Sequence, residues 1–171
     1  MPHARTVLPA GLALLAVFGL CSCRAETPAP ASDPRDCAGG RLDESTGLCW
    51  QHPPARGSAA AGFTREQASG YCAGLDLAGH RDWRLPGRRD FVDLLQGCDA
   101  AVLEGDVGEC NSCAASATCA PLFGPDRGWY WSATPMDGEP GIAWDVRFDL
   151  GLLLGGAVDD RSGVRCVRAT R

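Results

Sequence analysis

The side chains best suited to chemistry in this sequence are its cysteines. Cys110-Asn111-Ser112-Cys113 is a CxxC, the spacing of a thiol–disulfide exchange centre or of half a zinc site. Exchange thiols are usually activated at a helix N-terminus. This pair lies instead between Gly108-Glu109 and Ala114-Ala115, in a stretch with two more cysteines, Cys98 and Cys119. Zinc needs further His or free Cys, and His52 and His80 are remote in sequence. A structural disulfide role is expected. The second group is Arg81, Arg84, Arg88 and Arg89, the one basic cluster. Arginine pairs bidentately with carboxylate or sulfate, so Arg81, Arg88 and Arg89 are candidates for an anionic ligand. Asp82, Asp90 and Asp93 interleave with them, and Arg84 is expected to be buried and paired. Among the aromatics, Trp83, Trp131 and Trp144 are expected in the core. Trp129, beside the cysteine-rich stretch, is the candidate for exposed sugar stacking.

Hydrolase chemistry has little to stand on. There is no GxSxG elbow, the histidines have no partner spacing, and the 15 Asp and 6 Glu form no readable catalytic pair. The expectation is a non-enzymatic protein with no cofactor and no metal.

The elements that would position these residues follow from export and cysteine arithmetic. The chain has 171 residues, 10 Cys, a net charge of −5, and arginine as its only strongly basic residue type. An acidic chain without a basic run is a poor nucleic-acid binder, and ten cysteines argue against a reducing compartment. An apolar run from Val7 to Cys21 follows His3 and Arg5. It is too short to span a bilayer and reads as a signal-peptide core. Leu20-Cys21-Ser22-Cys23 then resembles a lipobox. Residues 1–22 are expected to be a lipoprotein signal peptide and Cys23 the lipidated residue. Arg24 behind it favours the outer membrane, facing the periplasm or the cell surface. Residues 23–36 are rich in Pro, Ala and charge and read as a tether. The folded domain is expected over 37–171, where eight cysteines remain, an even number.

Within it, Arg41–Asp43 and Leu48–Gln51 read as a hairpin, with Cys37 and Cys49 placed to pair across it. Residues 52–62 read as a loop. Thr64-Arg65-Glu66-Gln67 fits a helix-starting capping box, with Phe63 and Ala68 as its staple. A second helix follows Leu85-Pro86-Gly87, with Phe91, Leu94 and Leu95 inward and Gly97 ending it. The stretch from Cys98 to Pro125 has no period and reads as a long loop braced by disulfides. Strands are expected over 129–133, 142–148 and 163–169, with a weaker one over 151–158. Ala143, Asp145 and Arg147 alternate with Trp144, Val146 and Phe148, the pattern of a half-buried strand. Helices followed by antiparallel strands make an α+β domain.

Six strings carry a family resemblance: Thr46–Gln51 (TGLCWQ), Tyr71-Cys72, Asp82–Pro86 (DWRLP), Tyr130–Thr134 (YWSAT), Ala143–Val146 (AWDV) and Val164–Arg168 (VRCVR). Their order and spacing resemble the C-terminal domain family of the bacterial collagen-like adhesin Lcl. The resemblance implies a C-type-lectin-like fold, with two helices packed on a twisted antiparallel sheet and a long, disulfide-braced loop region. It also implies a Cys72–Cys166 bond. The Cys37–Cys49 pair and the Cys98–Cys119 insertion depart from the family. The last four cysteines stay open, Cys98–Cys119 with Cys110–Cys113 being the set the sequence leans to. Lectins of this fold bind sugar through calcium held by a Glu-Pro-Asn loop. Here Asp137-Gly138-Glu139-Pro140-Gly141 keeps Glu-Pro but puts Gly141 at the oxygen-bearing position, short of the six to eight oxygens calcium takes. Asp137 and Glu139 therefore remain candidates only, with a solvated turn expected. The adhesin relative binds sulfated polysaccharides, which gives the arginine cluster its interest. The function expected is recognition of a glycan or protein at the cell surface, through the 98–141 region, by a membrane-anchored lipoprotein. The alternatives are a cysteine-dependent oxidase related to formylglycine-generating enzymes, or a structural subunit of an envelope complex.

Overall fold

The computed structural model describes residues 36–53, 62–124 and 126–170. The expected signal peptide, the lipidation site Cys23 and the tether up to residue 35 lie outside the described residues, as does most of the 52–62 loop.

The chain opens with a hairpin, β1 (Gly40–Asp43) and β2 (Leu48–Gln51). Its turn is organised by Asp43, whose carboxylate accepts from Ser45 N (3.0 Å), Ser45 Oγ (2.6 Å) and Thr46 Oγ1 (2.8 Å). Helix α1 (Arg65–Ala73) starts on the capping box read from sequence. Thr64 Oγ1 accepts from Gln67 N, and Gln67 Oε1 accepts from Thr64 N. Helix α2 (Arg88–Leu95) buries Phe91, Val92, Leu94 and Leu95. Gly87 N donates to the Asp90 carboxylate at its start (2.7 Å).

The Cys98–Pro125 stretch is not a structureless loop. It holds α3 (Ala100–Glu104), β3 (Gly108–Glu109), a 3-10 turn (Cys113–Ala115) and α4 (Cys119–Phe123). Asp99 organises its first part. Its carboxylate caps α3 through Val102 N (2.8 Å) and also accepts from Glu109 N (3.2 Å). Those two amides hold its pKa below the usual carboxylate value. Elements this short carry no readable period, which is why the sequence hides them.

The remaining strands are β4 (Trp129–Pro135), β5 (Ile142–Arg147), β6 (Leu152–Ala157) and β7 (Val167–Ala169). They do not form one sheet. β7 joins the hairpin in the order β1-β2-β7, and the others pair as β3-β6-β5-β4, both sheets antiparallel. The architecture is α+β.

Two apolar clusters flank the four-stranded sheet. One gathers Trp50, Phe91, Leu94, Phe123, Trp144 and Phe148 among others. The second gathers Ala68, Cys72, Trp83, Trp131, Ala143 and Cys166 among others. Each fully buried large side chain contributes about 1.5–3 kcal/mol of transfer free energy. Because both faces of the sheet are covered, Ala143, Trp144, Asp145 and Val146 are all buried. The half-buried strand read from their alternation is corrected to a central strand that carries one carboxylate inside.

The disulfides are Cys37–Cys49, Cys72–Cys166, Cys98–Cys110 and Cys113–Cys119. The leaning towards Cys98–Cys119 with Cys110–Cys113 is therefore overturned. Cys110 N donates to Gly151 O and Cys113 N to Phe148 O. The two cysteines of the CxxC are thus fixed along the β5–β6 connection and turned to different partners.

Candidate functional site

The strings that looked distinctive in sequence are mostly scaffold. Gln51 sits at their centre, donating from Nε2 to the Tyr71 hydroxyl (2.9 Å) and accepting at Oε1 from Cys166 N (3.1 Å). Arg165 is buried, donates to Gln51 O (3.2 Å) and lies 5.0 Å over the Phe123 ring. Arg168 is buried too, donating to Cys37 O (2.6 Å) and lying over Trp83. The DWRLP segment bridges the sheets. Arg84 exchanges backbone hydrogen bonds with Val167, and Pro86 O accepts from Ala133 N. Trp83, Trp131 and Trp144 are core residues, at most 5% exposed.

The arginine cluster does not converge on a ligand site. Arg81 pairs with Asp76 (2.7 Å) and Arg89 with Asp93 (2.8 Å), both on the surface. Arg84 pairs with Asp90 (2.6 Å), but its side chain is 51% exposed, which corrects the expectation of burial. Arg88 turns inward. It donates to Val102 O and Asp106 O, and its guanidinium lies 4.4 Å over the Trp144 ring. Desolvation and Arg89 lower its pKa, with Asp106 opposing them. Each positive charge is thus met by a carboxylate or by backbone carbonyls.

Asp137 and Glu139 occupy an exposed turn between β4 and β5, closed by Glu139 N to Met136 O and Ile142 N to Glu139 O. They border an open depression of about 490 Å³ with Arg65 and Val158. Arg65 is tied to Ser132 O and Ala133 O. Trp129 lies at the other end of β4, about 20 Å away along a seven-residue strand. The structure does not bring Trp129 together with Asp137 and Glu139.

Trp129 instead lines a cleft of about 420 Å³ with Asp145, Leu154, Gly156, Asp160, Arg161 and Ser162. Register explains the assembly. Trp131 pairs with Asp145 and Trp129 with Arg147, while Leu154 faces Asp145 from the other side. Trp129, Asp145, Leu154 and Gly156 therefore share one face of the sheet. Trp129 and Asp145 are diagonal neighbours, about 7–8 Å apart. The 160–162 rim is pinned by backbone bonds. Ser162 exchanges two with Phe63, Gly163 N donates to Trp129 O, and Asp160 N to Ala157 O. Arg161 is turned onto Gly62 O (3.1 Å).

Asp145 is the unusual group. It is 8% exposed, and no other residue donates to its carboxylate among the described residues. Burial pushes its pKa up to about 7, and the neighbouring Asp160 charge adds to the shift. Asp145 can hold a proton near neutrality, and the two carboxylates together can meet a cation. Among the described residues no three His, Cys, Asp or Glu converge as metal ligands. Sequence reasoning found Trp129 and missed Asp145, Asp160 and Ser162. The available signal was Gly155-Gly156 inside a strand, which marks a close approach, opposite an Asp in an apolar run.

A family model described as the Lcl C-terminal domain matches residues 40–168. No curated protein matches the chain.

Proposed function

The chain belongs to the Lcl C-terminal domain family, and on that footing we propose that it is an exported, adhesin-like recognition domain that binds a glycan in the Trp129 cleft. One observation carries the reading. A half-buried indole, two carboxylates and a serine line a single concavity with a glycine in its wall. Indoles offer a flat apolar face to pyranose rings, while a few polar groups fix orientation. The walls are pre-formed by sheet register and by the backbone bonds of 160–163, so little ordering entropy remains to oppose binding. The four disulfides fit an oxidising, extracytoplasmic compartment. With all eight cysteines of the domain paired, none is left as a free nucleophile, which supports a binding role over an oxidase. Membrane attachment through Cys23 of a cleaved lipoprotein precursor would hold the domain at the outer membrane.

The test is binding of the purified chain to an array of neutral, amino and sulfated glycans, with and without calcium. Saturable binding that Trp129→Ala abolishes is the expected result. The absence of saturable binding to every glycan under both conditions would overturn the reading.

A further inference from the structure

The charge of the cleft says which glycan it suits, provided that the glycan reading itself holds. The geometry points to a protonated amino sugar, with its ammonium received by Asp145 and Asp160 and its ring against Trp129. Three observations on the cleft carry this. Asp145 is more than nine-tenths buried and faces the cavity with no donor from any other residue among those described. A carboxylate so placed has lost most of its water without gaining a partner, and an N–H donor cation is the group that restores both charge and hydrogen bonding. The second carboxylate, Asp160, stands on the facing rim, close enough for its charge to act on Asp145. The one cation on the rim, Arg161, is engaged with Gly62 O and forms no ion pair with either aspartate. The strands against Asp145 bring Trp129, Trp131, Leu154 and Gly156, none of which titrates. A sulfated or uronate sugar would meet two carboxylates here against the single Arg161 guanidinium, and would be disfavoured.

Trp129 separates a sugar from a bare amine. An indole wall rewards a pyranose face and adds a cation–π term for an ammonium close by. The cleft of about 420 Å³ is large enough for one or two sugar rings and larger than a simple amine requires.

The experiment uses the full chain. Binding of a β-1,4-linked glucosamine tetramer is compared with that of its fully N-acetylated counterpart and of a lysine tetramer. Titrations of the wild type are repeated with Asp145→Asn, Asp160→Asn and Glu104→Gln. Glu104 is an exposed carboxylate on α3, outside the cleft. Glucosamine binding at least tenfold tighter than the acetylated tetramer is expected. That preference should be lost in both aspartate variants and kept in Glu104→Gln. An acetylated tetramer that binds equally well would overturn the amino-sugar assignment and leave glycan recognition standing. A lysine tetramer that competes equally would overturn it by showing that charge alone is read. Failure of every sugar, here and on the array, would remove both readings together.

Discussion

Gly156 lies so close to Asp145 that a Cβ on the glycine would come within 2.8 Å of Asp145 Oδ2 and 3.3 Å of the Trp131 ring. The glycine is what lets a carboxylate lie over the strand beside it. Gly156→Ala should therefore push Asp145 into the cleft or bend β6, at a cost of about 1–3 kcal/mol. Urea unfolding checks the cost. A stability equal to wild type would mean that the two residues are not held against each other.

Asp145 should also write itself into the pH profile. Its folded pKa of about 7 lies above its ordinary 3.8, so the folded state keeps a proton that the unfolded chain has released. The resulting stability is complete at low pH, declines as pH rises and is gone above about 7. Between pH 5 and pH 8 the loss is about 2–3 kcal/mol. Asp99 and Asp149 are held low and act only in more acid solution, in the opposite sense. Asp145→Asn should flatten the profile over that range and leave the protein more stable than wild type at pH 8. An unchanged slope in the variant would place the titrating group elsewhere.

Arg88 and its neighbours should divide sharply. Arg88→Ala strands the Val102 and Asp106 carbonyls and uncovers the Trp144 ring, for an expected loss of about 1–3 kcal/mol. Arg81→Ala and Arg89→Ala remove exposed surface pairs worth about 0.5 kcal/mol or less. Equal melting temperatures for the three variants would contradict this division.

Much of the scaffold was readable because its signals are local or periodic. The Thr64 capping box, the hairpin at 40–51 and the apolar face of α2 each lie within a dozen residues. The short α3, β3 and α4 were not readable, since five-residue helices of under one and a half turns and a two-residue strand leave no pattern. The cleft was less legible still. Asp145, Gly156 and Asp160 belong to different segments, and only sheet register and the backbone bonds of 160–163 bring them together. Asp145 looked like the polar half of an alternating strand because nothing in its own segment reveals that α1, the DWRLP segment and Val164 with Cys166 pack on that side of the sheet. The arginines misled in the reverse direction. Their clustering in sequence is real, yet each side chain finds its own carboxylate or carbonyl.

The disulfide pairing has a direct chemical test. Proteolysis without reduction should yield one fragment linking Cys98 to Cys110 and another linking Cys113 to Cys119. A Cys110–Cys113 loop found by mass spectrometry would contradict the pairing. Loop-closure entropy assigns about 4.5 kcal/mol to the bond that spans 94 residues and about 2 kcal/mol to the one that spans 6. Replacing Cys72 and Cys166 together by Ser should accordingly lower the urea midpoint further than replacing Cys113 and Cys119.

If the domain is threaded N-terminus first across a membrane, as the proposed export implies, those spans also set an order of events. Cys37 meets Cys49 after 12 residues, Cys98 meets Cys110 after another 12, and Cys113 meets Cys119 after 6. All three can oxidise while the polypeptide is still being threaded. Cys72 alone must wait for a partner that emerges 94 residues later. Throughout that interval it is the exposed thiol that neighbouring cysteines can capture wrongly. The domain's dependence on a disulfide isomerase during secretion should therefore centre on that single residue.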